Sequence, residues 1–334
     1  MKGTTVTTER RFSRRIPYLA AATAGLVLLA ACGSSSDDSA PGTPKSSKDA
    51  AASGAQAADS AAIPTQDVVS AIAADPALRA ELPAKARDSG KLILGTTRTP
   101  GTVGLPHGGE QNGTQIGLDV DLRNAVAKVL GIEWDVQYGT FPTVIPGVQN
   151  GRYDVGQDNF GATKEREKVV DFATYLNDGQ AFLGSKDTPV DTVKQLTDLC
   201  GLTIATAPGS TFQQILTDGA GKCAAIGKKP YKVQYFADNA TILLGLQSGK
   251  VDVSFGPTLG VKYEAAHLPG TKYLGEVSTT PVGFVTAKDS PVAKALSDAV
   301  NKLIATGDYA KIFAKWNLPG SGLTASQLNP APSF

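Results

Sequence analysis

The stretch GLDVDLRNAVAKVLGIEWDVQYGTFPTVIPGVQNGRYDVGQ, residues 117–157, alternates between two kinds of apolar pattern. Between Leu122 and Leu130 the apolar residues recur at helical spacing, and Gly131 is typical of the residue that ends a helix. The segments that follow predict a strand at 133–138, a helix at 143–150 and a short buried strand at 153–157. Because strands that alternate with helices favour a parallel sheet, this stretch predicts an α/β fold.

The same alternation extends to both sides of this stretch. A strand is predicted at 92–96, and after residue 187 the pattern begins again as a second α/β unit. In that unit we predict helices and strands at 191–199, 202–207, 211 onward, 233–236, 240–248 and 251–255. The last segment predicts a long strand at 279–288 and then two helices that meet at Gly307. A chain of 334 residues is long enough for two such compact units.

The first 62 residues predict export rather than folding. Four arginines precede an apolar run from Ile16 to Ala31, which is short for a membrane span and is typical of a signal peptide at 1–31. The sequence LAAC, which ends at Cys32, resembles the lipobox of bacterial lipoproteins, in which the signal is cut before the cysteine and its thiol carries lipid. Residues 32–62 have little to bury and predict a flexible tether, and residues 63–89 predict a helical extension of undetermined role.

Charge and cysteine content narrow the choice of partners. Loss of residues 1–31 would remove five basic residues and one acidic residue and leave a net charge near −3, which argues against nucleic acid as a partner. Of the three cysteines, Cys32 is assigned to lipid, so Cys200 and Cys223 remain as an even pair in an exported protein. They are expected to form a disulfide, with two buried free thiols as the alternative.

Six segments, in order along the chain, carry a family resemblance. They are GLDVDLRNAVAKVL, FPTVIPGVQNGRYDVG, ATKEREKVVDFATY, LTIATAPGSTFQQIL, LQSGKVDVSF and ATGDYAKIFAKW. Together they resemble the bacterial extracellular solute-binding proteins of family 3, the receptors of amino-acid-type ABC importers, over about residues 91–316. The resemblance implies a two-lobe fold like that of the type II periplasmic binding proteins, with two hinge strands and a ligand cleft between the lobes. Lobe one would comprise residues 90–185 plus 281–334, and lobe two residues 188–278.

The resemblance also implies which residues bind the ligand. Arg166 would pair with a ligand carboxylate, because a guanidinium offers two parallel N–H donors, and the Gly161 amide would add a hydrogen bond. The turn before Thr211 would contact the same carboxylate, Phe141 would form a pocket wall, and polar groups would come from Asp158 and Asn159. The alternatives are a solvated charge for Arg166, a helix cap for Thr211 and a core residue for Phe141.

Three positions depart from the family pattern. Pro257 stands where an acid usually binds the ligand ammonium, Thr97 stands where another acid is usual, and Pro100 stands where an aromatic residue usually covers the ligand. Either Asp158 takes over the ammonium or the ligand is not an ordinary α-amino acid. We therefore expect a small carboxylate-bearing solute, with cationic amino acids such as lysine disfavoured.

An enzyme on the same architecture, such as a lyase or dehydratase, and a sensory receptor are the alternative functions. The two histidines, His107 and His267, have no metal-ligand spacing, and the chain has no G-x-S-x-G sequence. No membrane-spanning segment follows Trp316, which argues against a sensory receptor. We expect a lipid-anchored binding protein on the outer face of the cell membrane, with an ABC permease as partner and with no catalytic residue, metal or cofactor.

Overall fold

A computed structural model of the protein describes residues 63–333. The predictions of a signal peptide at 1–31, lipid on Cys32 and a tether at 32–62 lie outside these residues. The strands are β1 Lys91–Thr97, β2 Gly109–Gln111, β3 Thr114–Ile116, β4 Glu133–Gly139, β5 Val155–Gly161, β6 Val170–Ser185, β7 Thr203–Thr206, β8 Lys232–Tyr235, β9 Val253–Pro257 and β10 Thr271–Ala287. The helices are α1 Pro76–Ala80, α2 Ala84–Ser89, α3 Leu118–Leu130, α4 Phe141–Gln149, α5 Lys164–Glu167, α6 Thr211–Asp218, α7 Lys222–Ala225, α8 Asn239–Gln247, α9 Thr258–His267, α10 Pro291–Thr306 and α11 Asp308–Lys315.

Eight strands form one mixed sheet in the order β4-β1-β5-β10-β6-β9-β7-β8. At each end three strands run parallel, and in the middle the long strands β6 and β10 pair antiparallel along their length. Strand β5 pairs with the 282–286 end of β10, whereas β9 pairs with the 180–184 end of β6. The two parallel units are therefore two lobes that share β6 and β10 as hinge strands, and the predicted α/β two-lobe fold is confirmed.

Lobe one has helices on both faces of its part of the sheet. Helices α3, α10 and α11 pack on one face, where Leu122, Val126, Leu296 and Val300 are fully buried, and α4 packs on the other face through Val144 and Val148. The extension at 63–89 belongs to the first of these cores, because Leu82 and Ala86 are buried in it. Its Arg79 donates to the carbonyls of Leu130 and Gly131 at the end of α3, so the extension caps a helix of lobe one.

Lobe two encloses a core around a stacked aromatic pair. The rings of Phe182 and Phe255 lie 4.0 Å apart between centroids, so the hinge strand β6 is packed against β9. The predicted disulfide between Cys200 and Cys223 is confirmed, with a Cα–Cα distance of 5.6 Å. It joins α7 to the chain that enters β7.

Several sequence predictions differ from the observed elements. The long strand predicted at 279–288 begins eight residues earlier, as β10 at Thr271. The predicted helix at 191–199 is only a short 3₁₀ turn at Leu196–Leu199, because the Val193 amide bonds to the Leu274 carbonyl at 2.7 Å and holds the preceding chain extended. The Asp198 carboxylate also accepts from the Gln195 amide and competes with helical bonding. The buried strand predicted to end at residue 157 continues to Gly161 as β5. No helix within residues 63–333 is long and apolar enough to cross a membrane.

Candidate ligand-binding site

A cavity of about 590 Å³ lies between the two lobes. Its lobe-one wall comes from the ends of β1 and β5, the starts of α3 and α4 and the loop between β1 and β2. Its lobe-two wall comes from the starts of α6 and α8 and from one face of α9. In an open α/β sheet the strand ends and helix starts collect at such a crevice. The volume is in the range of small-molecule sites.

Arg166 enters this cavity from the short helix α5. Thr163 caps that helix, since its hydroxyl accepts from the Arg166 amide at 3.2 Å. The guanidinium Nη1 donates to the Gly161 carbonyl at 2.9 Å, and Nη2 donates to the carbonyl of Gly209 in lobe two at 3.0 Å. Burial lowers the pKa of Arg166 to about 10, which still leaves it charged at neutral pH. The guanidinium forms no ion pair with any carboxylate among residues 63–333.

Phe141 borders the Arg166 side chain. Its ring lies 4.9 Å from that of Phe160 between centroids, and the Arg166 guanidinium carbon lies 5.7 Å from the Phe141 centroid. The half-buried ring lines the cavity and also packs against the core of lobe one. Phe141 therefore belongs to both the cavity lining and the edge of the core, and its role as a wall around the ligand stays a prediction.

The start of α6 faces the cavity from lobe two. Gly209 has a φ of 72°, which turns the chain sharply, and Ser210 caps the helix by accepting from the Gln213 amide at 3.1 Å. Thr211 is the first residue of the helix, is 7% exposed and lines the cavity. The cap is therefore Ser210, and the capping alternative for Thr211 is wrong.

Polar side chains at the end of β5 present unpaired acceptors. Asp158 Oδ1 accepts from the Thr97 hydroxyl at 2.9 Å, while Oδ2 is buried without a partner among the described residues. The amide nitrogens of Gln157 and Asn159 donate to the Asp119 carbonyl and to Asp178 at 3.0 Å each, which leaves the two amide oxygens free. Burial raises the pKa of Asp158 to about 7.

A buried cluster around His107 adjoins these acceptors and was not predicted from the sequence. His107 Nε2 lies 2.9 Å from Asp178 Oδ2, and Nδ1 lies 3.6 Å from Asp119 Oδ2. Burial alone would lower the pKa of His107, but the two carboxylates outweigh it and raise the pKa to about 10. Asp178 also accepts from the amide of Leu259 in lobe two at 3.1 Å, so one carboxylate on hinge strand β6 bonds to both lobes.

One face of α9 forms the floor of the cavity in lobe two. Pro257, Gly260, Val261 and Glu264, spaced at helical intervals, all line it. Glu264 is 3% exposed, and its carboxylate accepts from the Asn239 amide at 2.6 Å. Burial raises the pKa of Glu264 to about 7. Asn239 donates as well to the Val103 carbonyl of lobe one at 3.2 Å, which adds to the bonds at Arg166 and Asp178.

The cavity therefore collects most of the residues that the sequence singled out. Arg166, Thr211, Asp158, Asn159 and Phe141 line it, as do Thr97, Pro100 and Pro257, the three departures from the family pattern. Gly161 is not among the lining residues; it is buried in β5, and its carbonyl orients Arg166. Sequence reasoning considered His107 only as a metal ligand, and it missed Asp178 and Glu264, because nothing local distinguishes an acid inside a strand or helix whose partners are many residues away.

The family model, the relatives and the solved structure that resemble this chain agree on one kind of protein. The family model described as bacterial extracellular solute-binding proteins, family 3, matches residues 106–319. The arginine-binding protein ArgT of Corynebacterium glutamicum is 28% identical over 67% of this chain and 74% of its own length, and an L-glutamate/L-aspartate-binding protein of Pseudomonas aeruginosa is 27% identical over 77% and 88%. The structure of an ancestral arginine-binding protein bound to arginine is 30% identical, with a TM-score of 0.60 over 68% of this chain and 98% of that one.

Proposed function

The chain belongs to the bacterial extracellular solute-binding proteins of family 3, and from that premise we propose that it captures an amino acid or a related small carboxylate-bearing solute between its lobes for an ABC importer. The observation that carries this proposal is the Arg166 guanidinium, charged and without a carboxylate partner in the described chain, at the wall of a cavity between two lobes. The relatives bind arginine in one case and glutamate or aspartate in the other, so they support the class of ligand and not its identity. The family supports a binding protein rather than an enzyme.

The chemistry of the Arg166 side of the cavity suits a carboxylate. The guanidinium is held by the carbonyls of Gly161 and Gly209, and its fork of donors matches the two oxygens of a carboxylate. Across the cavity, Thr211 begins α6, where free backbone amides and the positive end of the helix dipole favour an anion. A carboxylate bound there would be contacted from both lobes.

Contacts from both lobes would couple binding to closure. Hydrogen bonds at Arg166, Asp178 and Asn239 already join lobe two to the opposite side of the cleft. Closure by rotation about a pair of hinge strands is an established way to bury a ligand. A ligand that pairs with Arg166 would add to these bonds and so favour the closed arrangement.

The remaining assignments are also proposals. We propose that residues 90–185 plus 281–334 move as lobe one and residues 188–278 as lobe two. Export by the segment at 1–31 and lipid on Cys32 would hold the protein at the outer face of the membrane, next to its permease. Mass spectrometry of the native protein tests the anchor, and an unmodified N-terminus beyond Cys32 would contradict it.

A thermal-shift screen of small carboxylates, including all common amino acids, tests the proposed function. A ligand present at a hundred times its dissociation constant stabilises the folded state by about 2.7 kcal/mol, which is a measurable rise in melting temperature. The matching amines and amides without a carboxylate serve as controls. If no carboxylate raises the melting temperature, or if the amides raise it equally, the proposal is wrong.

A further inference from the structure

Glu264 is an isolated acid in the wall of the cavity. It is 3% exposed and forms no ion pair with any lysine, arginine or histidine of residues 63–333. Among these residues its only side-chain partner is Asn239, a neutral donor. A buried carboxylate without a cationic partner is costly to ionise, which is why burial raises its pKa to about 7. Such a group is ready to gain from a cation brought by a ligand.

Glu264 does not stand at the position where the family usually has an acid, which Pro257 occupies in this chain. Pro257 immediately precedes α9, and Glu264 lies seven residues further along, on the same cavity-lining face. Two helical turns correspond to about 10 Å along the helix axis. Gly260, one turn after Pro257, has no side chain to fill the space, and a Cβ atom there would meet nothing closer than 3.5 Å. The acidic group of lobe two is thus displaced along the cavity, with open space beside it.

The opposite wall, which His107 and Arg123 also line, has free acceptors that suit the same occupant. In lobe one, Asp158 Oδ2 and the amide oxygens of Gln157 and Asn159 are buried acceptors without donors within the described residues. Gln157 is 1% exposed, and its orientation is set by the bond from its nitrogen to the Asp119 carbonyl. Unsatisfied acceptors in such a place require a donor from the occupant. A donor-rich group satisfies them, whereas a second carboxylate would not.

We propose that Glu264 selects the ligand by pairing with an ammonium or guanidinium group that is separated by several bonds from the carboxylate bound by Arg166. The ligand is then a monocarboxylate with a cationic end, as in an amino acid with a basic side chain or an ω-amino acid. The inference rests on the proposed function of Arg166. It reverses the expectation, drawn from Thr97 and Pro257, that cationic amino acids are disfavoured, because the acid is present at another place on the same helix face.

Isothermal titration with matched ligand pairs tests this assignment. Lysine is compared with norleucine and arginine with citrulline, since each pair shares the α-carboxylate and α-ammonium and differs in the charge of the distal group. The parent protein should bind at least one cationic member about tenfold or more tightly than its neutral partner. In Glu264→Gln that ratio should fall below about threefold, because the cationic member loses more affinity than its neutral partner. Glu133→Gln, which neutralises an exposed acid outside the cavity, is the matched control and should keep the parent ratio.

The outcomes separate this inference from the proposed function. If the parent binds glutamate or a neutral amino acid but shows no preference within either pair, Glu264 does not select a cation, although the carboxylate function stands. An unchanged ratio in Glu264→Gln also overturns the assignment. If no carboxylate binds at all, the proposed function itself fails. Circular dichroism checks that the variant folds, and should it not fold, the parent ratio alone decides, since a ratio below threefold contradicts the proposal.

Discussion

At the scale of single residues, Arg166 gives the sharpest test of carboxylate binding. Arg166→Ala would leave a desolvated carboxylate without its partner, and we expect a loss of about 2 to 5 kcal/mol, or roughly thirtyfold to several thousandfold in affinity. Arg166→Lys should recover only part of this loss, because an ammonium cannot reproduce the planar fork. Calorimetry with the ligand found by screening provides the measurement.

The control for Arg166 lies two residues earlier on the same short helix. Lys164 is exposed and does not line the cavity, so Lys164→Ala removes a neighbouring charge and should bind the ligand as the parent does. Both variants should keep the circular dichroism spectrum of the parent. If Arg166→Ala binds the ligand within about threefold of the parent, a difference near 0.65 kcal/mol, Arg166 is only a solvated charge on a helix and does not bind the ligand.

His107 predicts a pH dependence of stability. Its pKa is raised from 6.5 to about 10 by the carboxylates of Asp119 and Asp178, so its stabilising contribution is fully present below pH 6.5 and is lost as the pH rises toward 10. Burial raises the pKa values of Asp158 and Glu264 to about 7, so their titration changes the stability mainly below pH 7. Between pH 7 and 9 the melting temperature of the ligand-free protein should therefore fall because of His107.

Substitution of each histidine separates this effect from other titrations. His107→Gln keeps a polar side chain but cannot ionise, so its melting temperature should change less between pH 7 and 9 than that of the parent. His267→Gln replaces the only other histidine, which stacks on Tyr263 in α9, and serves as the control. Equal slopes for the parent and His107→Gln would show that the ion pairs of His107 do not contribute to stability in this range.

The sequence predicted single residues only where a local motif accompanied them. Arg166 and Thr211 stand in short segments whose turn and helix start can be read along the chain, and both line the cavity. His107 and Glu264 have no such motif. His107 meets Asp178 across 71 residues of sequence, and its raised pKa depends on that contact. Glu264 lies in α9, for which the sequence predicted no helix, and only tertiary packing buries it.

At the scale of secondary structure elements, the disulfide between Cys200 and Cys223 lies entirely within lobe two. It links α7 to the start of β7, and neither cysteine lines the cavity. In the chain-entropy model, closing a loop of 23 residues contributes about 3 kcal/mol. Cys200→Ala combined with Cys223→Ala should lower the free energy of unfolding by about that amount in urea titrations, with ligand affinity unchanged.

Comparison with reduced parent protein completes the disulfide test. Mild reduction should destabilise the parent to nearly the same extent as the double substitution, whereas the double variant should not respond to the reductant. A double variant as stable as the oxidised parent would mean that lobe two gains nothing from the link. If ligand affinity also fell more than about threefold, the assumption that this edge of lobe two is independent of the cavity would be wrong.

Elements with a strong local pattern were predicted well, and those fixed by long-range bonds were not. Helix α3 ends at Leu130, just before Gly131 as predicted, because its apolar spacing and that glycine are local signals. The predicted helix at 191–199 failed because the Val193 amide bonds to Leu274, 81 residues away. The hairpin of β2 and β3 was missed, since its strands have three residues each and little apolar alternation. A local sequence pattern does not predict hydrogen-bond partners that lie far away along the chain.

At the scale of the whole molecule, the two-lobe arrangement followed from the restart of the α/β pattern and from the family resemblance. The pattern alone predicts two units but does not say that they share strands. In the structure the two units share strands β6 and β10, which have 16 and 17 residues and pair with each other from one lobe to the other. A strand of that length in a small lobe would extend beyond its own core. The hinge is therefore a property of pairing along the full strands, which no single segment encodes.

Closure of the whole molecule can be tested with an engineered link between the lobes. A Cβ atom built at Gly209 in lobe two would lie 3.5 Å from Pro142 Cβ in lobe one, which is within the range for a disulfide. Gly209 has a φ of 72°, so a cysteine there carries a backbone cost of about 1 to 2 kcal/mol, which is tolerable in a stable domain. In a chain with Cys32→Ser, the pair Pro142→Cys and Gly209→Cys should therefore cross-link when the lobes are closed.

If the ligand favours closure, saturating ligand should accelerate the cross-link, and the oxidised protein should release bound ligand much more slowly until it is reduced. Non-reducing electrophoresis follows the link, ligand release is followed by dialysis, and each single cysteine variant serves as a control. Cross-linking at the same rate with and without ligand would mean that the lobes close independently of binding, and the coupling proposed for Arg166 would then be wrong.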